Sequence, residues 1–339
     1  MTVVTETAKI DTHRDGSVRL AIEAKDLKKT YGGKVEALKG ISFSVEAGTV
    51  FGLLGPNGAG KSTTVKILTT LSRPTSGSAN VAGIDVLKHP NRVRRAIGVV
   101  GQKSGVDREA TGRENLTLQG QIYGLRGRTL KDRVSTLLER FSLADAADRV
   151  VKGYSGGMSR RLDIAIGLVH KPQVLFLDEP TTGLDPEVRV DMWSEISRLS
   201  REEGITVLLT THYLEEADRL AQRLVIVDQG QIVAEGTPEG LKSELGGDSV
   251  QVELFDAAHV PDAVDALRKL ENTLDLVTEG RTVFARVKNG PAEVPTALHV
   301  LESSGIGVAS VTVARPSLDD VYLLHTGRSF ERADSEGGN

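Results

Sequence analysis

The sequence predicts an α/β fold in which helices cover a mixed sheet of buried strands, followed by a smaller α+β unit. Three observations predict it. The apolar run Val50 to Leu54 leads into Gly55, Pro56, Asn57, Gly58, Ala59, Gly60, Lys61 and Ser62, and then into Thr63 to Thr69, which reads as a helix. Val174 to Leu177 places apolar residues in succession ahead of Asp178 and Glu179, the pattern of a strand covered on both faces, as in a parallel sheet. After Pro238 the chain changes character and runs strand, helix, strand, strand, helix, strand, the order of the ferredoxin-like split βαβ arrangement.

The glycine-rich stretch is the P-loop pattern G-x-x-x-x-G-K-S/T in the strand–loop–helix context that the pattern needs. Phosphates carry dense negative charge, and this stretch answers it in three ways. Its glycines let backbone N–H groups turn inward around phosphate oxygens. The helix that starts near Lys61 points its positive end at them. Lys61 adds a full charge, and the Ser62 hydroxyl is a candidate ligand for Mg²⁺. A glycine-rich βα turn that binds nothing would not need Lys-Ser at this offset.

Bulk properties bound the rest. At 339 residues the chain has room for two domains. Its 39% hydrophobic and 26% charged residues are those of an ordinary soluble protein. A formal net charge of −4 gives no cause to expect a nucleic-acid partner or an anionic membrane surface. The absence of cysteine excludes disulfides and thiolate metal sites and fits a cytosolic protein. Residues 1–17 are polar, lack the apolar core of a signal peptide and read as a flexible N-terminal tail. No stretch is apolar for long enough to cross a bilayer, so a role at a membrane requires another protein to hold the chain there.

Val18 to Ala24 and Val35 to Val45 read as strands with a tight turn between them at Tyr31-Gly-Gly-Lys34. Tyr31 is either a rim aromatic that stacks on a flat ligand ring or a strand-end aromatic that covers core, and position alone favours the second. Short strands follow at Ser78 to Val81, Ile84 to Val86 and Ile97 to Val100, the last ending at Gly101-Gln102. The Gln102 amide can reach a metal-bound water or a phosphate, or simply face solvent. Residues 107–172 turn helical, with Leu130, Val134, Leu137, Leu138 and Phe141 on one helix face. Arg126, Arg128, Arg133, Arg160 and Arg161 read as a solvated or partner-facing surface rather than a nucleic-acid patch, since no aromatics interleave with them.

Ser155 stands at the entry of the next helix as an N-cap. Gly156 and Gly157 beside it are more than a cap requires, and leave a second helix N-terminus with bare N–H groups suited to an anion. Asp178 and Glu179 stand at the carboxyl end of a buried strand, where open α/β sheets bind their ligands. Asp178 there can hold Mg²⁺, and Glu179 can orient and deprotonate water. Asp185 and Pro186 read as the N-cap and first residue of a helix that Gly204 ends. Ile205 to Leu209 is the next buried strand, with His212 just past its end, either structural or part of the same sheet edge as Gly55 and Asp178. Leu224 to Val227 and Ile232 to Ala234 form a hairpin around Gln229-Gly230.

The main unit is expected over 18–240 and the smaller one over 246–327. The latter shows no nucleophile, metal cluster or phosphate loop. Arg315 to Leu324 reads as a short amphipathic helix opened by Pro316-Ser317, and the polar residues 328–339 as a disordered tail.

Gly55 to Ser62, Gln102, Tyr154-Ser-Gly-Gly-Met158, Leu177-Asp-Glu179, Gly183-Leu-Asp185 and His212 follow one another in an order that resembles the nucleotide-binding subunit of an ABC transporter, a P-loop NTPase with a helical subdomain, here about residues 107–172. The resemblance covers about residues 18–234 and is specific, because the signature pentapeptide lies between the P-loop and the acidic strand. The whole layout is similar to the exporter ATPases of the daunorubicin/doxorubicin-resistance type, which pair with separate membrane proteins. The resemblance implies ATP and Mg²⁺ as cofactors. It implies that Tyr31 stacks on adenine, that Gly55 to Thr63 with Lys61 bind the phosphates, and that Ser62, Gln102 and Asp178 surround the metal. Ser155, Gly156 and Gly157 would contact the γ-phosphate held by the opposite subunit of a homodimer. Glu179 would be the general base, His212 the γ-phosphate switch, and Asp185 the link between the two sites. Two departures stand out. Tyr154 and Met158 replace the ends of the common Leu-Ser-Gly-Gly-Gln signature, and His212 stands where many members of the drug-resistance subgroup carry Gln.

The implied function is ATP hydrolysis at two shared sites, driving export of a drug-like or lipid-like amphiphile through separate polytopic transmembrane subunits at the cytoplasmic face of the membrane. The segment from Gln102 to Leu125 reads as the docking surface, and the C-terminal unit as a dimer stabiliser or regulator. The alternative is a soluble ABC ATPase acting on the ribosome or on DNA. Having one ATPase domain rather than two, and no sustained heptads between P-loop and signature, argues against it. A non-hydrolysing ATP sensor would not need Glu179 and His212.

Overall fold

The computed structural model describes residues 19–270 and 272–337; the expected N-terminal tail, Met1 to Ser17, lies outside them. The chain opens with a long antiparallel hairpin of β1 (Leu20–Tyr31) and β2 (Val35–Glu46). Gly32 and Gly33 turn it, with φ of 55° and 69°, a region glycine enters without steric cost. The first strand does not end at Ala24 as expected. Asp26 takes a φ of 47° and the register shifts between Ala24 and Leu27, so a bulge carries the strand on to Tyr31.

Next come β3 (Val50–Leu54), α1 (Lys61–Leu68), β4 (Ser76–Val81), β5 (Ile84–Asp85), α2 (Pro90–Ala96) and β6 (Ile97–Val100). The helical region holds α3 (Gly112–Ile122), α4 (Gly127–Arg140) and α5 (Gly156–Leu168). A second αβ run follows: β7 (Val174–Asp178), α6 (Pro186–Glu203), β8 (Thr206–Thr211), α7 (Leu214–Leu220), β9 (Arg223–Asp228), β10 (Gln231–Gly236) and α8 (Pro238–Leu245).

The main sheet has six strands in the order β10-β9-β3-β8-β7-β6. All neighbours are parallel except the edge strand β10. Alternation along β7 explains its unbroken apolar run. Val174 and Phe176 pack with α1 and the β2-β1-β4-β5 sheet, whereas Leu175 and Leu177 pack with α5 and α6. Each such fully buried side chain contributes about 1.5–3 kcal/mol. The predicted face of α4 is confirmed, since Leu130, Val134, Leu137, Leu138 and Phe141 are all buried in the second of these cores.

The C-terminal unit is built from β11 (Asp248–Leu254), α9 (Val260–Leu267), β12 (Thr273–Glu279), β13 (Thr282–Val287), α10 (Gly290–Ser303) and β14 (Val308–Ala314). Its four strands pair antiparallel in the order β12-β13-β11-β14. That is the ferredoxin-like order, with α9 and α10 sharing one core with the sheet.

Two last helices, α11 (Leu318–Thr326) and α12 (Phe330–Gly337), return to the main unit. Ser317 and Asp320 close a capping box on α11. The tail expected to be disordered is therefore helical through Gly337. Phe330 and Ala333, only 3% and 2% exposed, join a core with Leu54, Leu224, Ile226 and Tyr322. Two apolar residues in a polar window gave the sequence too little periodicity to signal it. Phe330 meets Tyr322 edge-on at 5.0 Å. Phe330→Ala should cost about 3 kcal/mol of docking free energy. Hydrogen exchange should then rise through α12 while β3 keeps its protection; an equally protected α12 would contradict the docking.

Candidate nucleotide and catalytic site

The P-loop leaves β3 at Gly55 and enters α1 at Lys61. Its glycines are sterically required. A Cβ on Gly55 would lie 2.3 Å from the Val227 carbonyl oxygen, and one on Gly60 would lie 2.7 Å from that of Ala37. Gly60 precedes α1 with φ of 110° and offers no side-chain cap, so the first-turn N–H groups stay open to a ligand. Lys61 is 4% exposed; its Nζ donates to the carbonyls of Gly55 (2.6 Å) and Pro56 (3.1 Å) and lies 3.8 Å from Glu179 Oε1. Burial lowers its pKa against the pull of Glu179 and Asp334. One amide of the loop is already engaged: the Asn57 N–H donates to Asp334 Oδ1 of α12 at 2.8 Å.

Strands β7 and β8 bring the acidic groups to the same edge. Asp178 Oδ1 accepts from Thr210 Oγ1 (2.6 Å), and Ser62 Oγ stands 3.5 Å from the same oxygen. Ser62 and Asp178 are hard oxygen donors, and their convergence suits Mg²⁺, which takes one or two protein oxygens and completes its shell with phosphate and water. Among the described residues no cluster of three or more His, Cys, Asp or Glu offers an all-protein metal cage.

Glu179 is 8% exposed and has a φ of 49°. Its N–H donates to the carbonyl and hydroxyl of Thr210, at 3.2 and 3.0 Å. Its Oε2 accepts from Gln102 Nε2 (3.0 Å) and Thr182 Oγ1 (3.4 Å), with His212 Nδ1 at 3.4 Å. Contact with His212, aided by Lys61, holds the carboxyl below its ordinary pKa in spite of burial. Gln102, Glu179, His212 and Lys61, far apart in sequence, thus meet around one carboxylate. Of the two readings of His212, the sheet-edge one holds.

The other expected residues lie elsewhere. Ser155 caps α5, its Oγ accepting from the Met158 N–H at 3.2 Å. A Cβ on Gly157 would lie 2.5 Å from Val188 Cγ1 of α6, so close packing also requires that glycine. Among the described residues no hydrogen bond joins the Ser155–Gly157 turn to the P-loop. Asp185 occupies the N-cap position of α6 but makes no side-chain capping bond; its carboxylate is exposed. Tyr31 does not cover core, being 40% exposed at the hairpin end with Lys29 Nζ 4.8 Å from its ring centre.

Two arginines expected at a surface are misplaced by that reading. Arg133 donates to the carbonyl oxygen of Val169 at 3.1 Å. Arg160 is buried, satisfied by main-chain carbonyls that distant segments bring to it. Sequence reasoning also passed over Thr210, a polar residue next to the end of a buried strand, and Glu216. The Glu216 side chain is fully buried, and its Oε1 accepts from Thr181 Oγ1 (2.8 Å) and the lone tryptophan, Trp193 (3.1 Å), beneath the turn after Glu179.

The chain is similar in sequence and fold to known proteins. The family described as ABC transporter matches residues 38–182. The chain is 46% identical to daunorubicin resistance ATP-binding protein DrrA2 of Streptomyces coeruleorubidus over 319 residues, 93% of this chain and 98% of that one. It is 38% identical to Nod factor export ATP-binding protein I of Rhizobium sp. (strain N33) over 314 residues, 93% and 99% of the two chains. Among solved structures it is similar to cbiO1 of Clostridium perfringens, part of an ABC transporter complex (TM-score 0.63, 27% identity, 66% of this chain and 91% of that one). It is also similar to an ATP-binding cassette in a dimeric post-hydrolysis state with ADP and Pi (TM-score 0.59, 27% identity, 64% and 98%).

A carboxyl whose pKa is lowered on folding contributes stability above its unfolded value of 4.5 and loses it as the pH falls through the folded value. Glu179→Gln should therefore flatten the acid side of the stability–pH curve. An unchanged acid limb would show that the site does not favour the Glu179 anion.

Proposed function

This chain belongs to the family of ABC transporter ATP-binding proteins, and on that premise we propose that it hydrolyses Mg-ATP as a homodimer to power export of a drug-like or lipid-like amphiphile through separate transmembrane subunits. The observation that carries the reading is the Glu179 carboxylate, held beside the P-loop by Gln102, His212 and Lys61.

Phosphoryl transfer needs positioning and charge stabilisation more than covalent chemistry. Lys61 Nζ, now on the Gly55 and Pro56 carbonyls, is within the loop that cradles phosphates and exchanges those carbonyls for phosphate oxygens. Ser62 and Asp178 would hold Mg²⁺, which when bound supplies positive charge at the phosphate oxygens. Glu179, kept anionic, takes the proton of the attacking water. Gln102 and His212 orient it, and His212 also faces the γ-phosphate. Tyr31, exposed at the hairpin end, stacks on adenine.

The dimer reading draws on what one subunit leaves unused. The Ser155–Gly157 turn has no bond to its own P-loop, and the exposed Asp185 carboxylate caps nothing. Both are free to complete the site of a second copy. ATP held between P-loop and signature closes the pair, and hydrolysis releases it. No helix of the described residues is long and apolar enough to cross a membrane, so the export reading requires membrane subunits. The exposed Leu118 and Ile122, one turn apart on α3, support docking there. The relatives named for drug resistance and for Nod factor export support an amphiphile as cargo.

Glu179→Gln should keep ATP binding and dimerisation while hydrolysis falls about 10²–10⁴-fold; normal turnover would remove Glu179 from the role of base. Leu118→Asp with Ile122→Asp should abolish co-purification with a polytopic membrane partner and leave ATP hydrolysis by the isolated chain unchanged. Retained co-purification would move the docking surface elsewhere.

A further inference from the structure

Arg160 has no part in the chemistry just described, yet its guanidinium touches both loops that carry it. It lies one turn inside α5 and is 9% exposed. Nε donates to the Pro180 carbonyl at 2.7 Å, Nη1 to that of Gly101 at 2.7 Å, and Nη2 to those of Asp178 and Glu179 at 3.2 Å each. Three residues further along the helix, on the same face, Asp163 Oδ1 accepts from the Gly105 N–H at 3.0 Å. The loop bearing Gln102 is therefore gripped at both ends by α5, and the turn bearing Glu179 is held at three successive carbonyls.

This is a costly way to stabilise a fold. A buried guanidinium loses its hydration, and among the described residues Arg160 has no carboxylate within ion-pair distance. What the arrangement provides is direction. The rigid fork of five donors can satisfy carbonyls of two loops at once, which a lysine ammonium on a flexible stem cannot do. It does so beside Glu179, whose φ of 49° is sterically disfavoured for a residue with a Cβ and must be held by its surroundings.

We propose that Arg160 is a positioning residue for ATP hydrolysis: acting from within the signature helix, it fixes the backbone of the Glu179 turn and of the Gln102 loop. The placement of each subunit's general base then depends on the placement of the helix whose first turn, Ser155 to Gly157, meets the partner's nucleotide. The inference rests on the reading of Glu179 as base and deepens it, since one side chain joins a subunit's service to its partner with its own chemistry.

The test uses the full-length protein carrying Arg160→Lys, Arg160→Gln, Glu179→Gln, and each Arg160 change combined with Glu179→Gln. Thermal unfolding, ATP affinity and single-turnover hydrolysis are measured for each. The expected result for Arg160→Lys is unchanged ATP affinity and unfolding temperature with hydrolysis reduced about 10–100-fold, the scale of a misplaced catalytic group. In the Glu179→Gln background the same change should cause a much smaller fall, because the base it positions is gone and only its hold on the Gln102 loop remains to be lost. A multiplied loss there would overturn the proposal, as would wild-type turnover in both single Arg160 variants, or stability and affinity falling together with rate in both. If Glu179→Gln alone turns over normally, the base assignment fails; if it is inactive while the Arg160 variants are normal, only the Arg160 inference fails.

Discussion

The pairing of Thr210 with the strands on either side of it is the constraint on which the site depends. Across β8 and β7 it stands opposite Asp178, and across β8 and β3 it stands opposite Leu53. That register brings the ends of three parallel strands level, so that Gly55, Asp178 and His212 emerge at one edge. Thr210 then fixes the acids individually, its hydroxyl donating to Asp178 and its main chain and hydroxyl accepting from the Glu179 N–H. A slip of one residue would turn the buried side chains of these strands to the opposite faces, so the apolar cores on both sides of the sheet and the geometry of the carboxylates enforce one another.

The two faces of that sheet do different work. On one, the β1–β2 sheet and α1 lock the P-loop, where Gly60 touches the Ala37 carbonyl too closely for any side chain. On the other lie the helical region and α6, and there α5 runs from the exposed Ser155 and Gly156 inward to the catalytic loops. The nucleotide cradle thus belongs to one layer, whereas the signature turn sits on a helix of the other, whose apolar face packs on Leu175 and Leu177 and whose Arg160 bonds the carbonyls at the sheet edge.

What could be read from the sequence was what is contiguous. The P-loop, the acidic strand and the C-terminal βαββαβ order are each carried by neighbouring residues whose pattern states the element. Helices α2 and α8 went unread because each is short; α2 buries only Val93, so no period shows. Arg160 was misread because it stands beside Arg161 and other basic residues, while its acceptors come from positions 101 and 178–180. Asp334 was misread for the same reason, its partner being Asn57 at the other end of the chain. The ring of Gln102, His212 and Lys61 around Glu179 could be suspected from strand ends, but only the sheet register sets the contacts.

The seat of α12 on the P-loop has a consequence for the free energy of binding. The Asn57 N–H is a single donor, and the Asp334 carboxylate already holds it. A phosphate oxygen that takes this hydrogen does so in competition with Asp334, against a helix anchored by Phe330 and Ala333 and by the Arg328–Asp228 ion pair at its entry. Were a nucleotide phosphate to take this hydrogen, occupancy of the cradle and docking of the C-terminal helix would be linked equilibria, and linkage is reciprocal: whatever lifted α12 would strengthen nucleotide binding by the same factor by which nucleotide weakened the helix's hold. In that competition Asp334 of α12 would stand to the P-loop as a ligand does.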